Sequence, residues 1–206
     1  MKLIICFILA YLIGSIPSAY LLGKLCFHQD IRQLGSGNIG TTNTFRVFGF
    51  FPGTTVLLLD IFKGTLGASL PMFVGVAGKQ WELVVGMAAV IGHCLPIFLH
   101  FQGGKAVATG SGILLAYNPL LFLVAAVMFA TLVLITSTVS LASLIVMPIF
   151  TIITLLVKDY YLFAAAVLVT IIIYVRHLPN IKRLKNHQEN MVHFGLVYYL
   201  NQKRHK

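Results

Sequence analysis

The chain has 206 residues, 58% of them hydrophobic and 10% charged, with fifteen Lys and Arg against five Asp and Glu, and its mean hydropathy is +0.92. A single soluble core of this length could not hide so much apolar surface, which excludes a soluble globular domain; residues 106–157 carry no charge at all, as a segment solvated by hydrocarbon requires. The basic surplus has no soluble basic domain to carry it, which excludes nucleic acid as a partner. Two readings of that surplus remain: the positive-inside bias of membrane loops, and an anionic substrate.

The first apolar run, 3–22, follows Lys2. It is too long for the core of a signal peptide, and Gly23-Lys24 offers no cleavage pattern, so it is expected to be a retained span. Roughly 20 helical residues cross a bilayer core, which places spans at 3–23, 53–77, 82–101, 107–135, 139–157 and 160–176. The loop 24–50 is long and basic, the 102–105 turn is basic, and so is the tail from Arg176. Basic connections belong in the cytoplasm, which sets the N-terminus outside. Between Lys105 inside and Asp159 outside, the chain then needs an odd number of crossings. Tyr117-Asn118-Pro119 breaks the long block into 106–117 and 119–135, because the residue before proline avoids helical backbone. Seven crossings follow, with the Thr136 to Ser140 patch on the cytoplasmic side; five remain if the long block spans once and its neighbour is re-entrant. The expected fold is therefore a single all-α, polytopic membrane domain over 1–206, with 24–50, 102–105, 136–140 and the C-terminal segment 176–206 cytoplasmic. Within that segment, 187–206 is too short in apolar residues to span and reads as a basic interfacial tail. Cys6, Cys26 and Cys94 lack metal or disulfide spacing and read as small hydrophobes.

Three polar segments carry chemistry. Gly35-Ser36-Gly37-Asn38-Ile39-Gly40-Thr41-Thr42-Asn43 frees its backbone to point N–H groups at one anion, adds side-chain donors, and is followed by Arg46, whose planar fork suits phosphate. A helix starting at 41 would add its dipole. In the second segment, Gly103-Gly104-Lys105 sets a cation on a tight turn; a snorkelling flank lysine would need no such backbone. His93, upstream, is either a general base or a satisfied buried histidine, and His100 is a flank residue. In the third, Asn180 and Arg183 lie one helical turn apart, next to His177. Asp60 and Lys63, at i and i+3 inside a span, read as a mutually neutralising structural pair. The cytoplasmic loops hold too few acids for a carboxylate-bound metal, and no nucleophile elbow is present, so neither a metal nor a cofactor is expected.

These segments resemble the three cytoplasmic motifs of the bacterial acyl-phosphate:glycerol-3-phosphate acyltransferases, the PlsY family. The first motif matches Gly35 to Asn43 with Arg46. The second matches Gly92-His93 through Pro96 to Gly103-Gly104-Lys105 and Val107-Ala108-Thr109. The third matches His177, Asn180-Ile181, Arg183-Leu184 and Glu189. Val139 to Ser143 and Asp60 to Gly64 also look like family features. The chain departs from the family pattern at Leu178-Pro179, where an arginine is usual, and at His187, where a glycine is usual. The resemblance implies acyl transfer from acyl phosphate to the 1-position of glycerol 3-phosphate, giving lysophosphatidic acid, at the cytoplasmic side of the bacterial inner membrane. Its substrates, membrane lipid and the enzyme that supplies acyl phosphate are the partners it suggests. On this basis Ser36, Arg46, Lys105, His177 and Asn180 are the catalytic candidates. Gly35, Gly37, Asn38, Gly40, Thr41, Asn43, His93, Gly103, Gly104, Ser140 and Arg183 are the phosphate-binding candidates. The rival class, an anion transporter, would want a site at the bilayer midplane and inverted repeats, neither of which is legible here.

Overall fold

The computed structural model describes residues 1–204, with side chains to Gln202; Arg204 closes the last helix, so the final two residues of the expected interfacial tail lie outside the described residues. Every regular element among the described residues is helical, in two compact units, Met1–Pro119 and Leu120–Lys206.

In the first unit, α1 (Lys2–Ser15) and α2 (Ser18–Phe27) meet at a 42° bend. A single straight span over 3–23 was expected; Pro17, lacking an N–H, breaks the ladder there. The Ile16 carbonyl, released from the helix, accepts from the Ser18 N–H and from Lys63 Nζ, both at 3.1 Å. After a 3-10 turn, Ile31–Gln33, come α3 (Thr41–Phe48), α4 (Phe50–Phe73), α5 (Gln80–Cys94) and α6 (Val107–Tyr117). The expected span 82–101 also ends early as an α-helix, at Cys94, and continues through Pro96 into a second 3-10 turn, Ile97–Leu99. Asn118-Pro119 stops α6, as the sequence predicts.

The helix α4 is central, packing on α1, α5 and α6, and α1 packs on α5. Small residues let these helices approach closely, the way apolar helices associate when burial from water offers no driving force. A β-carbon on Gly64 would collide with the Thr109 carbonyl, and one on Gly112 with the Ile61 carbonyl. The Thr65 hydroxyl, 2.9 Å from the Gly112 carbonyl, ties the same crossing.

The second unit holds α7 (Pro119–Thr136), α8 (Val139–Leu156), α9 (Tyr160–Arg176), α10 (Leu178–Lys185) and α11 (Leu196–Arg204). Tyr174 Oη donates to the Leu144 carbonyl at 2.7 Å, and the Thr151 and Thr170 hydroxyls meet at 3.0 Å, fastening α8 to α9. A 60° bend at His177 separates α9 from α10. The tail is tied down at Ser137, whose carbonyl accepts from the Val192 N–H at 2.8 Å and whose Oγ accepts from the Tyr198 N–H at 3.0 Å.

By length and apolarity, four of the described helical segments can each cross a bilayer, and up to six crossings result if each bent pair counts as one. At 11 residues, α6 reaches only about 16 Å, short of a hydrocarbon core of roughly 30 Å. Gly112→Ala should destabilise the protein by about 1–3 kcal/mol, because α4 and α6 must separate to admit the methyl; the thermal midpoint in detergent measures this, and an unchanged midpoint would refute the close crossing.

Candidate functional site

The first loop is held from within. Asp30 caps the 3-10 turn through the Arg32 N–H at 3.1 Å and grips the guanidinium with both oxygens, at 3.0 Å from Nε and 2.7 Å from Nη2. Arg32 also lies over the Tyr20 ring, 4.8 Å from its centroid. The guanidinium hydrogen bond holds the Asp30 carboxyl down at about 2. A depressed carboxyl contributes stability above its ordinary range and loses it only as pH falls through the folded value, so the clasp is intact at neutral pH. This basic residue of the loop is therefore structural.

Gly35 and Gly37 follow at φ 59° and 71°, a region that strains any side chain. They fold the loop around Asn43, which is 1% exposed. Its Oδ1 accepts from the Ser36 N–H at 2.9 Å, and its Nδ2 donates to the carbonyls of Leu34 and Asn38, each at 3.0 Å, and Ile31 at 3.4 Å. The expectation that Asn43 offers its amide to phosphate meets a different arrangement: the amide is turned inward and shapes the loop. Ser36 and Gly37 stay exposed and Asn38 half-exposed, while Arg46, on α3, has Nη1 3.5 Å from Asn43 Oδ1. Gly40 precedes the first residue of α3, Thr41, whose Oγ1 is buried without a hydrogen-bond partner.

The second turn folds back on the helix it follows. His100 and Phe101 adopt φ 49° and 62°, and the Gly104 N–H then donates to the His93 carbonyl at 3.0 Å. A β-carbon on Gly103 would strike the carbonyls of His93 and Cys94; one on Gly104 would strike His93 Nε2. Both glycines are required by this approach, which sets Lys105 two residues ahead of α6. His93 is buried, with Nδ1 3.9 Å from Asp60 Oδ1. That oxygen accepts from Lys63 Nζ at 2.8 Å and from Ser18 Oγ at 2.9 Å, so the expected Asp60–Lys63 pair forms. Within this unit the two turns share an apolar cluster, with Ile31 and Ile39 from the loop, Leu99 from the second turn, and Ala19 and Val56 beneath.

In the second unit, Glu189 gathers the third group. Its Oε1 accepts from Ser140 Oγ at 3.0 Å and Asn180 Nδ2 at 2.7 Å, and its Oε2 from Arg183 Nε at 2.8 Å. His177, buried at the bend, has Nδ1 2.8 Å from the Ile173 carbonyl. A carbonyl only accepts, so the proton sits on Nδ1. Glu189, matched as part of the third motif but given no site role from sequence, is the residue that organises the group. Among the described residues, no group of three His, Cys, Asp or Glu is placed to hold a metal ion.

Glu189→Ala leaves two buried partners without their acceptor and should cost on the order of 3 kcal/mol in thermal unfolding, whereas Glu189→Gln, which keeps an acceptor oxygen, should cost less. Equal losses for the two substitutions would contradict the hub.

A family model described as glycerol-3-phosphate acyltransferase matches residues 4–187. The chain is 53% identical over 204 residues to a glycerol-3-phosphate acyltransferase of Latilactobacillus sakei subsp. sakei, covering 99% of both chains. It is 48% identical over 207 residues to that of Lactiplantibacillus plantarum, covering both completely. Among solved structures it resembles the crystal structure of PlsY (YgiH), an integral membrane glycerol 3-phosphate acyltransferase, in its glycerol 3-phosphate form. The TM-score is 0.87 and the identity 32%, covering 97% of this chain and 99% of that one. The lysophosphatidic acid form of the same enzyme matches with a TM-score of 0.83 at 29% identity, over 93% of this chain and 95% of that one. With a family model over residues 4–187 and full-length relatives at about half identity, the chain belongs to the glycerol-3-phosphate acyltransferase family.

Proposed function

We propose that the chain transfers an acyl group from acyl phosphate to the 1-hydroxyl of glycerol 3-phosphate, forming lysophosphatidic acid and phosphate. The observation that carries this reading is the pair of glycine-built turns in the first unit. Each couples a glycine-shaped backbone with a cation, Arg46 or Lys105, and both rest on one apolar cluster of a membrane-embedded chain. Two turns suited to phosphate fit a reaction in which donor and acceptor each carry one.

The hydroxyl oxygen attacks the acyl carbon, the bond from that carbon to the phosphate oxygen breaks, and phosphate leaves with the bond's electron pair. Its oxygens lie beside the attacking hydroxyl and take the proton, so no covalent enzyme intermediate and no side-chain base is required. Catalysis is then positioning and charge neutralisation. Ser36, Gly37, Asn38, Gly40 and Thr41 form the first cradle, with Asn43 and Gly35 shaping it from below. Gly103 and Gly104 shape the turn that bears Lys105. The likeness of the third motif to the family gives His177 and Asn180 catalytic roles, and Ser140 and Arg183 phosphate-binding ones.

The chain crosses the inner membrane seven times, α6 being the short crossing, with its N-terminus outside, its C-terminus inside and its chemistry on the cytoplasmic face. The basic bias of 24–50, 102–105 and the tail supports that orientation, and the burial of Gly112, Ile113 and Leu114 supports a shielded α6. Acyl phosphate reaches the protein from the enzyme that makes it.

Purified protein in detergent, where no transport can occur, should make lysophosphatidic acid from acyl phosphate, with acyl-CoA serving poorly or not at all; equal rates with both donors would refute the donor assignment. Arg46→Ala and Lys105→Ala should each slow the reaction about a hundredfold, on the order of 3 kcal/mol of transition-state stabilisation. His93→Ala and His177→Ala should lower kcat while leaving the shape of its pH profile unchanged. Loss of an acidic limb in either variant would overturn the proton transfer to phosphate.

A further inference from the structure

Asp60 and Lys63 satisfy each other at 2.8 Å, Ser18 adds a hydrogen bond, and Lys63 reaches the Ile16 carbonyl. Stitching the Pro17 break needs nothing more. Yet the Nδ1 edge of His93 faces the same carboxylate oxygen at 3.9 Å, with both side chains almost wholly buried. That separation is too long for a hydrogen bond and short enough for strong coupling where water is scarce. A cavity of about 10 Å³, lined by Ser15, Ser18, Ile39, Lys63, His93 and Pro96, lies beside the ring. The opposite edge of the ring, Nε2, lies against the α-carbon of Gly104, with no room for a methyl group between them. The Gly104 N–H closes the contact on the His93 carbonyl. The imidazole thus touches the turn that carries Lys105 on one edge and faces the buried carboxylate on the other.

We propose that Asp60 is a positioning residue for the acyl transfer: with Lys63 it fixes the His93 ring, and the ring fixes the backbone of the Gly103–Gly104–Lys105 turn. The inference rests on the reading of that turn as phosphate-binding. It assigns the intramembrane pair a task beyond holding helices together, and it makes His93 a strut rather than a base. A strut that tilts moves the turn by a fraction of an ångström, which affects substrate binding before it affects folding.

The test uses the full-length enzyme in detergent and compares KM for each phosphate substrate. Asp60→Asn with Lys63→Gln removes both charges while keeping hydrogen-bonding groups of similar size. This variant should unfold within a few degrees of the parent and raise, by roughly tenfold, the same KM that Lys105→Ala raises. In a His93→Asn background the double substitution should add nothing, because the strut is already gone. Wild-type KM values in the stable charge-free variant would overturn the proposal, as would additive effects with His93→Asn. If the charge-free variant does not fold, Asp60→Glu, which keeps the charge but shifts it by one methylene, should show the same selective KM rise, and normal kinetics there would overturn it. Lys105→Ala leaving both KM values and kcat untouched is a different failure, one that sinks the phosphate-binding reading of the turn and this inference with it.

Discussion

A proline in an apolar segment poses one problem on which the first unit depends. Pro17 interrupts the helical ladder inside an apolar segment, and the freed Ile16 carbonyl takes its donors from within the protein. Lys63 supplies one, but a lysine in such a place needs a counter-charge, which Asp60 provides one turn away. Removing either partner alone would leave an uncompensated buried charge, a loss of about 3–5 kcal/mol in comparable pairs. Because Ser18 donates to the same carboxylate, the pair also sets how α2 leaves the break. The direction of α2 decides where the loop after Phe27 begins, and that loop carries the first of the two turns proposed to bind phosphate. The constraint therefore reaches from a helix break to both anion-suited turns.

The two cradles are built by opposite means. The first is a loop wrapped on a buried amide, with every polar atom of Asn43 engaged, so its shape survives changes in what its outer face meets. The second is a turn pressed against the helix it has just left, its glycines defined by contact with His93 and Cys94 rather than by backbone angles. The third group, in the second unit, depends on a single carboxylate that holds Ser140, Asn180 and Arg183 at once. Each arrangement is held by hydrogen bonds within the protein, as the proposed electrostatic catalysis by pre-set groups requires.

Much of this was legible in the residues. Hydropathy revealed the membrane class, Asn118-Pro119 the end of α6, the glycine spacing the loop, and the i, i+3 interval the Asp60–Lys63 pair. Other features were hidden for identifiable reasons. A hydropathy window averages over Pro17, so the first span looked continuous although the break was written in one residue. Asn43 reads as an outward donor because donor type is visible in sequence and direction is not. Glu189 is visible in the third motif but its role is not, because one of its partners, Ser140, lies 49 residues away and no local pattern marks such a bond. Sequence alone does not decide between base and buried residue for His93, because its neighbours, Asp60 and Gly104, come from different elements.

The central claim, that a buried charge pair shapes the backbone of a substrate turn, is most directly tested by hydrogen–deuterium exchange on the unliganded protein. The amide to follow is that of Gly104, protected by its bond to the His93 carbonyl. In the charge-free Asp60→Asn, Lys63→Gln variant this amide should exchange at least about tenfold faster, a local opening eased by roughly 1.4 kcal/mol, while amides inside α4 and α6 keep their parental rates. Unchanged protection at Gly104, or acceleration spread evenly through the unit, would contradict the account.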